Sequence, residues 1–125
     1  MSEVTKKEVK KAKPVQIMGN GKTYVLDYDR ESIFWAEETL NFSIDDLSGK
    51  KAASATRKLF YIAFHRRYPD DFTMEETTKL LFEEIPAKYR PKITANLIEL
   101  YIDTYNSLYE EVEGEGKNSE WSVKL

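Results

Sequence analysis

Few residues in this chain could do chemistry, and none of them stands where chemistry would need it. There is one histidine and no cysteine. His65 sits in mid-helix, after Phe64 and before two arginines, and no Ser or Asp at matching helical spacing orients it as a base. One His without Cys is no ligand set for zinc, and the lack of Cys also excludes disulfide scaffolds and thiol catalysis. Glu37-Glu38, Glu75-Glu76, Glu83-Glu84 and Glu110-Glu111 are paired only along the chain. Neighbours on a helix diverge by about 100°, so such pairs read as solvated faces and not as acid–base couples. Asp45-Asp46 lacks the acidic spacing and distal Glu of a calcium loop. Gly19-Asn20-Gly21-Lys22 has two glycines and a lysine but neither the length nor the Ser/Thr of a phosphate-binding loop. The expectation is no catalytic residue, no metal, no cofactor and no enzyme activity.

The elements around these residues are easier to read. Asn20-Gly21 supplies the positive φ angles of a tight hairpin turn between Val15–Met18 and Thr23–Tyr28, where Tyr24, Leu26 and Tyr28 alternate. Asp29 is a good N-cap, with Glu31 in the first turn, for a helix over Arg30–Asn41 whose stripe is Ile33, Ala36 and Leu40. Residues 42–47 read as a connector. A long helix follows over Lys51–Tyr68, with Ala52, Ala55, Leu59, Ile62 and Ala63 as its stripe and Phe60 and Phe64 widening it. Arg66 and Arg67 complement the dipole of its last turn, and Pro69 stops it. Thr73 and Glu76 form a capping box that starts a third helix over Met74–Glu84, with Met74, Thr78, Leu81 and Ile85 on one face. Pro86 ends that helix, and Pro91 suits the first turn of a fourth over Lys92–Val112. The fold class expected is mostly α (α+β): an N-terminal β-hairpin followed by a compact bundle of about four helices. Its core should hold Ile33, Leu40, Leu59, Ile62, Ala63, Leu81, Leu97 and Leu108.

Binding signals are aromatic. Trp35 lies about 130° from the apolar stripe of the first helix. It is therefore either covered by the hairpin or presented to a partner. In the fourth helix two adjacent stripes, Ile93/Leu97/Tyr101/Leu108 and Ile98/Ile102/Tyr105/Tyr109, cover about half of the helix. That is wider than the stripe of an ordinary surface helix. Trp35, Tyr101, Tyr105 and Tyr109 are the candidate partner-contact residues; each has core packing as its alternative.

At 125 residues the chain is one domain. Residues 1–13 carry five lysines and two glutamates and read as a flexible basic arm. Residues 14–112 form the helical domain with its hairpin. Residues 113–125 read as a flexible acidic tail, in which Trp121, Val123 and Leu125 alternate as in a short strand added to a sheet edge or a partner. The net charge of −3 gives no global positive field for nucleic acid. No apolar run reaches the ~18–20 residues of a membrane span. A location in the cytoplasm, away from membranes, is expected.

From Lys22 to Leu108 the chain resembles the small tail assembly chaperones of long-tailed bacteriophages and prophages. The resemblance is carried by YVLDYDRESIFWAEE, the Ile-Asp-Asp-Leu connector, KLFYIAFHRRYPDDFTMEET and the closing NLIELYIDTYNSL. It implies a non-enzymatic helper in the bacterial host cytoplasm, which binds tail-tube or tape-measure protein until polymerisation and takes no small-molecule substrate. The competing classes are a connector or minor tail protein retained in the virion and a nucleic-acid adaptor using the Lys-rich arm.

Overall fold

The computed structural model of the chain describes residues 12–110 and Ser122. The mostly helical fold with an N-terminal hairpin is present. Strands β1 (Val15–Gly19) and β2 (Lys22–Leu26) pair antiparallel, with Val15 opposite Leu26 and Gly19 opposite Lys22. Asn20 (φ 51°) and Gly21 (φ 77°) both take the left-handed conformation that the two-residue turn requires. Helix α1 spans Arg30–Leu40, α2 Ala52–Arg67, α3 Met74–Lys79 and α4 Arg90–Ser107.

The capping chemistry explains where these helices start. Asp29 accepts from the Ser32 amide, and the Ser32 hydroxyl accepts from the Asp29 amide, which closes a reciprocal box at α1. Thr73 and Glu76 do the same at α3. Asn41 ends α1 in the left-handed conformation, one residue before the expected boundary. Residues 44–48 are a short 3₁₀ turn capped by Ser43 rather than an open connector.

Two helices differ from the sequence expectation. The third does not run to Glu84 as an α-helix, because Leu80–Glu84 widens into a π turn. Arg90 supplies a physical reason. Its guanidinium donates to the carbonyls of Leu81 (2.8 Å) and Phe82 (2.6 Å), so these oxygens need no helical amide. The fourth helix begins earlier than Lys92 and ends at Ser107 rather than Val112. There the Arg30 guanidinium takes the Ser107 carbonyl at 2.7 Å, satisfying a terminal acceptor from outside the helix.

Long helix α2 is the spine of the fold, since β2, α1, α3 and α4 all pack on it. Leu59, Ile62, Ala63 and Phe64 are fully buried along it. Burying a Leu, Ile or Phe side chain of this kind contributes about 1.5–3 kcal/mol. Ile33, Leu81 and Leu97 join this core as expected, whereas Leu40 and Leu108 are only half-buried at its margin. Phe42, Tyr28 and Leu100 take central places instead. Two aromatic clusters fill the space between elements. Tyr24, Phe64, Tyr68 and Phe72 fasten β2 to the end of α2. Tyr28, Phe42 and Tyr101 meet edge to face beneath α4.

The expected basic arm of residues 1–13 overlaps the described residues at its end. There the Ala12 amide donates to Asp103 at 2.8 Å and ties the chain to α4. The rest of that arm, and the tail expected at 113–125 apart from Ser122, lie outside the described residues.

Candidate functional site

The four residues singled out for partner contact fall in three different places. Tyr101 is in the core, 1% exposed, with Tyr28 and Phe42 against its ring. It cannot contact a partner without unfolding the bundle and is withdrawn from the contact set. Burial, then the nearby Glu37 and Tyr105, push its hydroxyl pKa up. Among the described residues that hydroxyl has no hydrogen-bond partner, whereas the neighbouring Tyr28 hydroxyl donates to the Leu59 carbonyl at 2.7 Å.

Trp35 is half-buried, and the hairpin is not what covers it. Its indole stacks on His65 of α2 at 3.7 Å between ring centroids and 8° between planes, with Tyr61 at 5.8 Å. The spacing explains this: α1 and α2 run side by side, and the face of Trp35 meets the i, i+4 pair Tyr61/His65. Burial lowers the His65 pKa, and Asp70 opposes the shift. His65 is thus a packed ring, half-buried under an indole.

Tyr105, half-buried at the core margin, and Tyr109, exposed just past Ser107, lie at the C-terminal end of α4. Their rings lie 5.9 Å apart, and Tyr109 is 78% exposed. Ile102 on α4 is also exposed, and Tyr105 lies between it and Tyr109 at the margin of the core. Ile102 was legible as part of the wide arc but was not among the candidate contacts. Its spacing to the two tyrosines was the available signal.

A second surface was missed altogether. Beside β1 runs a groove of about 630 Å³, with Val15, Ile17 and Met18 on one wall and Ile85, Tyr89 and Ile93 on the other. Met18 is 70% exposed and Tyr89 49%, two large apolar side chains left open to solvent along one groove. Nothing in a single strand or helix announces such a groove, because its walls come from segments about 70 residues apart.

The hairpin's two edges differ chemically. A two-residue turn makes Gly19–Lys22 a hydrogen-bonded pair, and alternation then gives Ile17–Tyr24 and Val15–Leu26. Gln16 and Met18 therefore turn their amides and carbonyls away from β2. On the other side the outward Val25 amide donates to the Tyr68 hydroxyl at 3.0 Å. Below it Asp27 receives two hydrogen bonds from Arg67, at 3.1 and 2.9 Å, with Arg66 at 3.5 Å.

Among the described residues, no three His, Cys, Asp or Glu side chains stand close enough to hold a metal ion, and no helix is long and apolar enough to cross a membrane. The sequence profile of a domain of unknown function, DUF5055, matches residues 6–125. The chain belongs to this family. No curated protein and no solved structure matches the DUF5055 chain.

Proposed function

We propose that this DUF5055 protein is a non-enzymatic tail assembly chaperone, which binds a phage tail-tube or tape-measure subunit in the bacterial host cytoplasm and releases it on polymerisation. The observation that carries the reading is the group Ile102/Tyr105/Tyr109. A helix already anchored in the core by Leu97, Leu100 and Tyr101 leaves Ile102 exposed and Tyr105 half-buried at the core margin, with Tyr109 exposed just past its end. Tyrosine gives wide contact area at low side-chain entropy cost, as reversible recognition needs. The resemblance of Lys22–Leu108 to tail assembly chaperones supports the partner class.

The test is binding of the purified chain to tail-tube and tape-measure subunits. Tyr105→Ala with Tyr109→Ala should weaken that binding by more than about 1–2 kcal/mol if these are hot spots, with an unchanged helical circular dichroism spectrum. Mass spectrometry of purified virions gives the second readout. A chaperone should be missing from the finished particle, and stoichiometric presence there would overturn the reading in favour of a retained structural protein.

A further inference from the structure

We propose that the groove beside β1 is a strand-acceptor site and that its resident ligand is this chain's own segment Trp121–Leu125, added to the hairpin as a third strand. This docking goes beyond the chaperone reading and does not rest on it, since groove and segment belong to one chain. Three features of the described surface call for an extended ligand. Gln16 and Met18 direct backbone donors and acceptors outward, so a strand laid against β1 would pair with them. Val15 and Ile17 are half-buried and Gln16 and Met18 exposed, and all four line the groove, so a strand laid along that edge would place alternate residues over Ile85, Tyr89 and Ile93. The charged groups on the groove wall are Lys13, Lys92 and Glu99, a net positive rim.

The segment matches each feature by its sequence. Trp121, Val123 and Leu125 are apolar at alternate positions, and Ser122 and Lys124 between them are polar. The residues leading into the segment carry Glu111, Glu113, Glu115 and Glu120 against one Lys117, which complements the lysine rim. Reach is adequate as well. The way back along α4 from Ser107 to Asn96 at the groove is about 16 Å, and ten residues, 111–120, with four Glu and two Gly, would span about 17 Å as a coil and more where their charges repel. Such a tether gives an effective concentration in the millimolar range, enough to hold even a weak strand in place.

The test uses the full chain. It has no cysteine, so Ser122→Cys creates a single attachment point for a nitroxide label. In the isotope-labelled protein the amide signals of Gln16, Met18, Tyr89 and Ile93 should broaden, to the same degree at every protein concentration. Val123→Asp should abolish the broadening without changing the circular dichroism spectrum. A synthetic peptide of residues 118–125 should then bind the Val123→Asp chain about tenfold or more tighter than the parent, because the tethered competitor is gone. Three results would overturn the proposal: no broadening in the parent, broadening that survives Val123→Asp, or equal or absent peptide binding by the two chains. Broadening seen only when labelled and tagged copies are mixed would overturn it too, and would assign the groove to the segment of a second copy.

Discussion

Tyr28 and Tyr101 have ring centroids 5.0 Å apart in the same buried cluster, yet removing their hydroxyls should move stability in opposite directions. Tyr28→Phe deletes the 2.7 Å bond to the Leu59 carbonyl. That carbonyl lies inside α2 and keeps its helical partner, so no orphan acceptor is created and the loss is about 1 kcal/mol. Tyr101→Phe deletes a buried hydroxyl that has no partner among the described residues. Holding such a group away from water costs about 1–3 kcal/mol, and its removal leaves the packing of the ring unchanged. Tyr101→Phe is therefore expected to stabilise the fold by about 1 kcal/mol, which for a domain of this size raises Tm by about 4–8 °C. Urea titrations followed by circular dichroism at pH 7 and 25 °C give both differences from one protocol. The reasoning fails if Tyr101→Phe lowers the midpoint as much as Tyr28→Phe does, because the Tyr101 hydroxyl would then be making an interaction worth keeping.

Three further perturbations address other parts of the fold. Arg90→Ala releases the Leu81 and Phe82 carbonyls and should cost about 1.5–3 kcal/mol, as for bonds to a charged group, with hydrogen exchange rising first in the π turn; uniform exchange would contradict it. His65 has a pKa below its unfolded value, so between the two values the unfolded chain binds more protons and stability must rise with pH. Its contribution is complete above about pH 6.5 and is lost as pH falls through the folded value, so the urea midpoint should drop more between pH 7.5 and 5 in the parent than in His65→Gln. Gly21→Ala forces a side chain into φ +77° with no steric contact to blame. It should cost about 1 kcal/mol from backbone strain alone, measurable as a lowered Tm.

The fold was legible where local chemistry decides structure. Asp29, Thr73–Glu76, Asn20-Gly21 and Pro91 act within a few residues of themselves, and each marks a boundary that the structure keeps. Legibility failed where a distant residue decides. The π turn at Leu80–Glu84 depends on Arg90, and the end of α4 depends on Arg30, and neither dependence leaves a periodic trace. Tyr101 and Tyr105 belonged to one wide aromatic arc in sequence, and only the arrival of Tyr28 and Phe42 on one side divides it into core and surface. Trp35 was correctly placed off the apolar stripe, but its neighbour was the Tyr61/His65 pair rather than the hairpin. The groove was least legible of all, since Val15–Met18 and Ile85–Ile93 become one surface only after α4 docks.

The unequal edges of the hairpin set a limit on stoichiometry. Tyr68 holds the outward Val25 amide and the ring cluster of Phe64, Tyr68 and Phe72 backs β2, so the sheet cannot lengthen on that side. Only β1 can take another strand. A sheet with a single open side grows in one direction only and cannot act as a link through which strands are added at both edges. One strand at a time can pair directly with β1, and strand-bearing chains therefore compete for that place.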